Sequence, residues 1–162
     1  MKKWIAPICS AVAGIFSFIM LCLDWCKMSK GAYSVEFTGW EIIKNKDDMF
    51  SNAFYKLDGY GFYKFAAIAM LVVAVLAILM AVVLVLKNLN VIKVDFNLNL
   101  INNVLLSLLV LFVILTFVAL LIMSKDEVLK SLDTAAQVGA WLQLVISGAA
   151  CACGWALARK AE

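Results

Sequence analysis

The sequence predicts an all-α membrane protein, a four-transmembrane-helix bundle with a small β-containing extracellular loop between helices 1 and 2. Three observations carry that prediction. Hydrophobic residues make up 65% of the 162, and mean hydropathy is +0.99; a soluble domain is roughly 45–50% apolar. The excess is gathered into four long blocks that hold no charge deep inside them. Lysine and arginine are densest in the short segments on one side of those blocks.

Each block meets the requirement of about 20 apolar residues for a helix crossing a bilayer. The expected spans are residues 4–23, 65–86, 100–123 and 134–158. The second is the plainest, a run of Ala, Ile, Val, Leu and Met in which nothing opposes insertion. Its β-branched content does not make it a strand, because strands seldom pass ten residues and lipid tolerates no open sheet edge. The first block has the charged start (Lys2, Lys3) and apolar run (residues 15–23) of a signal peptide. No A-x-A-like cleavage site follows, and Leu21 before Cys22 does not make a lipobox. The expectation is a retained first span.

With the N-terminus inside, the inner segments are 1–3, 87–99 and 159–162. They hold Lys2, Lys3, Lys87, Lys93, Arg159 and Lys160 against Asp95 and Glu162. The outer segments, 24–64 and 124–133, hold eight Lys and nine acids. The positive-inside rule then places both termini in the cytoplasm, and the expectation is a multi-pass protein of the cell membrane. Trp4 and Trp155 are expected at the inner interface, Trp25 and Trp141 at the outer one, where indole rings anchor at headgroup depth.

Small residues recur at helical spacing: Ala6, Ser10, Gly14 and Ser17; Ala67, Ala74, Ala77 and Ala81; Gly148 with Ala152; Ala150 with Gly154. Such spacing lets backbones approach where no hydrophobic drive exists between helices. Ser107, Thr116, Gln143 and Ser147 are expected to make interhelical hydrogen bonds, worth roughly 0.6–2 kcal/mol each. Asn97, Asn99, Asn102 and Asn103 are expected to cap the third helix and wet the interface. No Asp, Glu, Lys or Arg lies deep in a span, as proton relays and voltage sensors require. Histidine is absent, which removes the commonest general base and metal ligand. No catalytic or metal-binding pattern and no cofactor are expected. No basic patch interleaved with aromatics suggests nucleic acid.

The five cysteines form C-x3-C and C-x-C pairs, Cys22 with Cys26 and Cys151 with Cys153, plus Cys9. At i, i+4 the first pair is expected on one helix face. A thiol oxidoreductase would call for C-x-x-C at a disulfide-competent position, so small apolar packing is the reading for most of them.

Segment 24–64 is the largest stretch outside the spans. Tyr33 to Thr38 alternates apolar and polar residues as a half-buried strand does. Gly39 suggests a bend, after which Trp40-Glu41-Ile42-Ile43 resumes the strand. Residues 44–48 read as a polar turn. Met49, Phe50, Phe54 and Tyr55 follow near helical spacing, and Tyr60, Phe62, Tyr63 and Phe65 line the start of the second span. The candidate interaction residues are Phe37, Gly39, Trp40, Phe50, Phe54 and Tyr55. They lie on a loop of the kind that carries function more often than a lipid-facing wall.

The four spans, the long first outer loop with Gly39-Trp40 in a strand, and the short second outer loop together resemble the claudin and peripheral-myelin-protein tetraspan layout. Leu23-Asp24-Trp25 and Phe37-Thr38-Gly39-Trp40-Glu41-Ile42 also resemble small bacterial four-span proteins with a Trp ending the first helix and an S/T-G-aromatic strand after it. The paired loop cysteines of claudins are missing, since residues 27–64 contain none, so junction formation is not implied. The expectation is a non-enzymatic tetraspan protein, an accessory, scaffold or assembly subunit whose partners are the lipid bilayer and another membrane protein or its own copies. Two alternatives stand beside it, a small oligomeric channel and a membrane thiol redox protein.

Overall fold

The computed structural model describes residues 2–30, 33–45, 55–93, 97–125 and 133–158. The described chain is mostly helical. A 3-10 turn, Lys2–Trp4, leads into α1 (Ile5–Met20). Strands β1 (Asp24–Lys30) and β2 (Tyr33–Thr38) follow, then a short helix α2 (Gly39–Lys44). The long helices α3 (Tyr60–Asn88) and α4 (Leu98–Met123) come next, then β3 (Asp133–Ala136) and α5 (Val138–Ala158). Helices α3 and α4, and α5 through Ala156, are long and apolar enough to cross a membrane, whereas α1 is a shorter apolar helix.

The boundaries differ from the expected ones in physically informative ways. Helix α3 begins five residues early, at Tyr60, because Gly59 supplies a left-handed N-cap (φ +92°) that turns the chain into the helix. Residues 134–136 are not the start of the last helix; they pair with β1 as a strand. Trp40-Glu41-Ile42-Ile43 does not resume a strand either. Thr38 and Glu41 form a capping box: the Glu41 N–H donates to Thr38 Oγ1 at 3.2 Å, and the Thr38 N–H donates to Glu41 Oε2 at 2.9 Å. Two amide donors at the helix start are thereby satisfied, so α2 begins where the strand ends.

The four apolar helices run antiparallel to their chain neighbours around a common core. Asn88 Nδ2 donates to the Lys3 carbonyl at 2.7 Å, tying the end of α3 to the start of α1. Gly14 lets α1 sit directly on α3: a Cβ there would lie 2.5 Å from Ile78 Cγ1 and 2.8 Å from the Ala74 carbonyl. Ala67, Ala74, Ala77 and Ala81 are all buried on the facing side. Gly154 serves α4 and α5 in the same way, against Asn103 Oδ1. Gly148 does not, having open space beside it.

Polar side chains of these helices point inward. Ser10, Ser17, Asn102, Asn103, Thr116, Gln143 and Ser147 are buried, while Phe65, Val72, Leu79, Leu121 and Val145 stand on the outer surface. Gln143 Nε2 donates to Ser17 Oγ at 2.7 Å, and Ser10 Oγ donates to Asn102 Oδ1, so α1 is bonded to α5 and to α4. Trp155 Nε1 donates to Ser107 Oγ at 3.0 Å. Thr116 and Ser147 bond carbonyls of their own helices instead of a neighbour. Asn97 caps α4 as expected, its Oδ1 accepting from the Leu100 N–H at 3.1 Å. Asn102 and Asn103 do not wet an interface; they are core residues.

A double-mutant cycle with Ser17→Ala and Gln143→Leu tests the α1–α5 bond. The expected coupling is about 1 kcal/mol, measured by reversible unfolding in mixed micelles. Strict additivity of the two substitutions would show that the bond contributes nothing.

Candidate functional site

At one end of the bundle the segments preceding β2 and α5 fold into a single structure. Strands pair antiparallel in the order β2-β1-β3. Strand β1 is therefore central, and it joins the connection after α1 to the connection before α5. A two-stranded hairpin alone is marginal in water, and a third strand plus packing against helices makes it stable.

The β1 register explains how this sheet is attached. Asp24 faces Thr38 and Cys26 faces Phe37, so Trp25 is the extra residue of a β-bulge. Side chains normally alternate across a strand, yet Trp25 and Cys26 are adjacent and both fully buried. The bulge turns Trp25 inward out of sequence. Beyond it alternation resumes. Cys26 and Met28, opposite Phe37 and Val35, face the helices, while Lys27 and Ser29, opposite Glu36 and Ser34, face away. Lys27 and Glu36 form a cross-strand ion pair at 2.7 Å. Both are partly exposed, so the pair contributes at most about 1 kcal/mol.

Trp25 makes the decisive contacts. Its indole Nε1 donates to the Met20 carbonyl at 2.7 Å, satisfying one of the last carbonyls of α1. Its own carbonyl accepts from the Gln137 N–H at 3.0 Å, at the β3–α5 junction. Gly139, in the first turn of α5, sits against the ring; a Cβ there would lie 2.7 Å from Trp25 Cδ1 and 2.9 Å from the Asp24 carbonyl. Trp25 is thus not an interfacial anchor, as the sequence suggests, but the core of the cap. Trp4 is half-buried, and Trp141 and Trp155 are exposed.

The candidate interaction residues fall in three groups. Phe37 and Gly39 are buried, Gly39 under Leu21, whose side chain would lie 2.5 Å from an added Cβ. Trp40 and Tyr55 are half-buried. The Trp40 N–H donates to the Leu21 carbonyl at 3.1 Å, its ring lies 6.4 Å from Phe18, and the Tyr55 ring lies 4.9 Å from that of Tyr60, tilted by 47°. Phe50 and Phe54 lie outside the described residues, as does Met49. The four described residues hold the cap onto the helices. The surface turned away from the bundle is instead built from Ser34, Glu36 and Ala135, with Lys27 and Ser29 between them. Tyr60 Oη lies 2.9 Å from both the Ile42 carbonyl and Asn45 Oδ1, which fixes α2 to α3.

The cysteine pair expected on one helix face is split. Helix α1 ends at Met20, so Cys22 is exposed in the following turn and Cys26 is buried on β1. Both are unbonded. Burial pushes the Cys26 thiol from 9.0 up to about 12, and a thiol held protonated at neutral pH is a poor nucleophile. Among the described residues no group of three His, Cys, Asp or Glu side chains comes together to hold a metal. No protein-family model, curated protein or solved structure matches the chain.

Trp25→Phe keeps a buried ring but loses the indole bond, at an expected cost of about 1 kcal/mol. Gly139→Val forces a branched side chain onto that ring and is expected to cost about 1–3 kcal/mol. Both are read as a lowered Tm in detergent; wild-type values for both would remove Trp25 from its structural role. In the folded protein at pH 7, maleimide is expected to modify Cys22 at least ten times faster than Cys26, with the difference vanishing on unfolding. Peptide mass spectrometry reads the ratio, and comparable folded-state rates would contradict the burial of Cys26.

Proposed function

We propose that this chain is a non-enzymatic four-span protein of the cell membrane, an accessory or scaffold subunit that binds another membrane protein through its sheet cap. The fourth span is α1. Its sixteen residues rise about 24 Å, and the 3-10 turn before it adds about 6 Å. The sum matches a hydrocarbon core of about 30 Å. With the lysine-rich end inside, both termini are cytoplasmic and the cap is outside. The layout is that of a claudin-like tetraspan protein without the loop cysteines.

The β1–β3 pairing carries the binding reading. It merges two separate extramembrane segments into one surface and fixes that surface to the helices through Trp25. An ordered surface costs little entropy on binding, which favours recognition. An oligomeric channel needs a polar stripe on the outside of the bundle. Here Ser10, Ser17, Asn102, Asn103, Thr116, Gln143 and Ser147 are inside it. A thiol redox function needs an activated cysteine, and the Cys26 thiol is shifted in the opposite direction.

A photoreactive residue placed at Glu36 or Ala135, both exposed, tests the reading in native membranes. The expected result is a covalent adduct with another membrane protein or a second copy. The same residue at Leu79, on the exposed wall of α3, is expected to give lipid adducts alone. Lipid adducts alone at all three positions would refute a partner at the cap.

A further inference from the structure

Helices α1 and α5 are joined by side-chain bonds at two levels. Nearer the sheet, Gln143 donates to Ser17. Toward the opposite end, the Cys9 thiol on α1 and the Cys153 thiol on α5 share a hydrogen bond. The two contacts agree in register. Between them α1 rises about 12 Å and α5 about 15 Å, as antiparallel helices packed along one seam require. Each cysteine lies about 6–8 Å from the end of its helix, so the two thiols meet at one depth. The other cysteines have different surroundings. Cys151 Sγ lies 3.4 Å from Ser107 Oγ on α4, Cys26 is buried beneath the sheet, and Cys22 is exposed after α1. The C-x-C pair of α5 is thus divided between α4 and α1.

Cys153 is exposed and Cys9 is half-buried. An accessible thiol with a second thiol in contact is the arrangement in which peroxide oxidation ends at a disulfide instead of a higher oxide. We infer that Cys9 and Cys153 are an oxidation site, at which a hydroperoxide converts the two thiols into a reversible disulfide between α1 and α5. With hydrogen peroxide, the Cys153 sulfur bonds one oxygen as the O–O bond breaks. The products are a sulfenic acid and one water. The Cys9 sulfur then attacks the Cys153 sulfur. The S–S bond forms, the S–O bond breaks, and the hydroxyl leaves with the Cys9 proton as a second water. Two thiols lose two electrons and the peroxide gains them. A dithiol restores both cysteines by exchange. Strand β1 follows α1 and β3 precedes α5, so the disulfide clamps, at its far end, the helix pair that carries the β1–β3 pairing. It also closes residues 9–153 into one covalent loop, which restricts the unfolded chain. The assignment does not depend on what the cap binds.

The reduced full chain in detergent is treated with hydrogen peroxide and read by peptide mass spectrometry without reduction. Peptides joined through Cys9 and Cys153, and separated again by dithiothreitol, are expected to exceed every other disulfide about tenfold or more. Dimedone traps sulfenic acids. It is expected to label Cys153 strongly in Cys9→Ser and Cys9 only weakly in Cys153→Ser. The oxidised wild type is expected to unfold about 5 °C or more above the reduced protein, a rise that neither single variant shows. Sulfenic acid on Cys153 of the wild type without the joined peptides, or a disulfide between two copies as the main product, would overturn the pairing. Cys153 left unmodified would overturn the oxidation site. Stronger dimedone labelling of Cys9 than of Cys153 would overturn the order of attack.

Discussion

The Trp25 indole is the point where the elements at the sheet end of this fold meet. It closes the last turn of α1 through its bond to the Met20 carbonyl, and its backbone accepts from Gln137 where β3 gives way to α5. Its ring occupies the space left by Gly139. A tryptophan can do this because it combines a large apolar body with one polar donor that must be satisfied when buried. The bulge at Trp25 is required for the same reason. Without it, Trp25 and Cys26 would point to opposite faces of the sheet, and one of them would leave the core.

The helices obey a different constraint. Among apolar neighbours, burial of apolar surface gives no reason for one helix to prefer another over lipid, so contact has to come from close backbone approach and hydrogen bonds. Both devices converge on α1. Gly14 brings it against Ala74 and Ile78 of α3, while Ser10 and Ser17 bond to Asn102 of α4 and Gln143 of α5. The shortest of the four long helices is therefore bonded to two of the others and packed closely on the third. Its outer face is apolar, with Ile8, Val12, Ile15 and Ile19 exposed.

The sequence made the helices legible because a 20-residue apolar run has few other physical solutions. Strand β2 was legible from its alternation. Strand β1 was not: the i, i+4 spacing of Cys22 and Cys26 reads equally as a helix, and the bulge breaks the period at the residue that matters most. Strand β3 depends on pairing with a strand more than one hundred positions earlier, which no local pattern encodes. Helix α2 was within reach, since Thr38-Gly39-Trp40-Glu41 has the T-x-x-E form of a capping box, but the preceding alternation makes it look like more strand. Of the candidate site, the segment was identifiable and the exposed face was not. Aromatic residues draw attention as contacts for a partner, yet Phe37 is used to seat the sheet, leaving the outward face to small and charged residues.

These arrangements give the two ends of the bundle different chemistry while sharing one helix. The end of α1 is fixed by Trp25 under the cap, and its start lines an apolar groove shared with α3. Between them lie Ser10, Gly14 and Ser17, bonded or packed against all three other long helices. A packed interior of this kind resists continuous deformation and moves, when it moves, as a unit. The Met20–Trp25 bond can be weakened by a ring-preserving substitution without emptying the core.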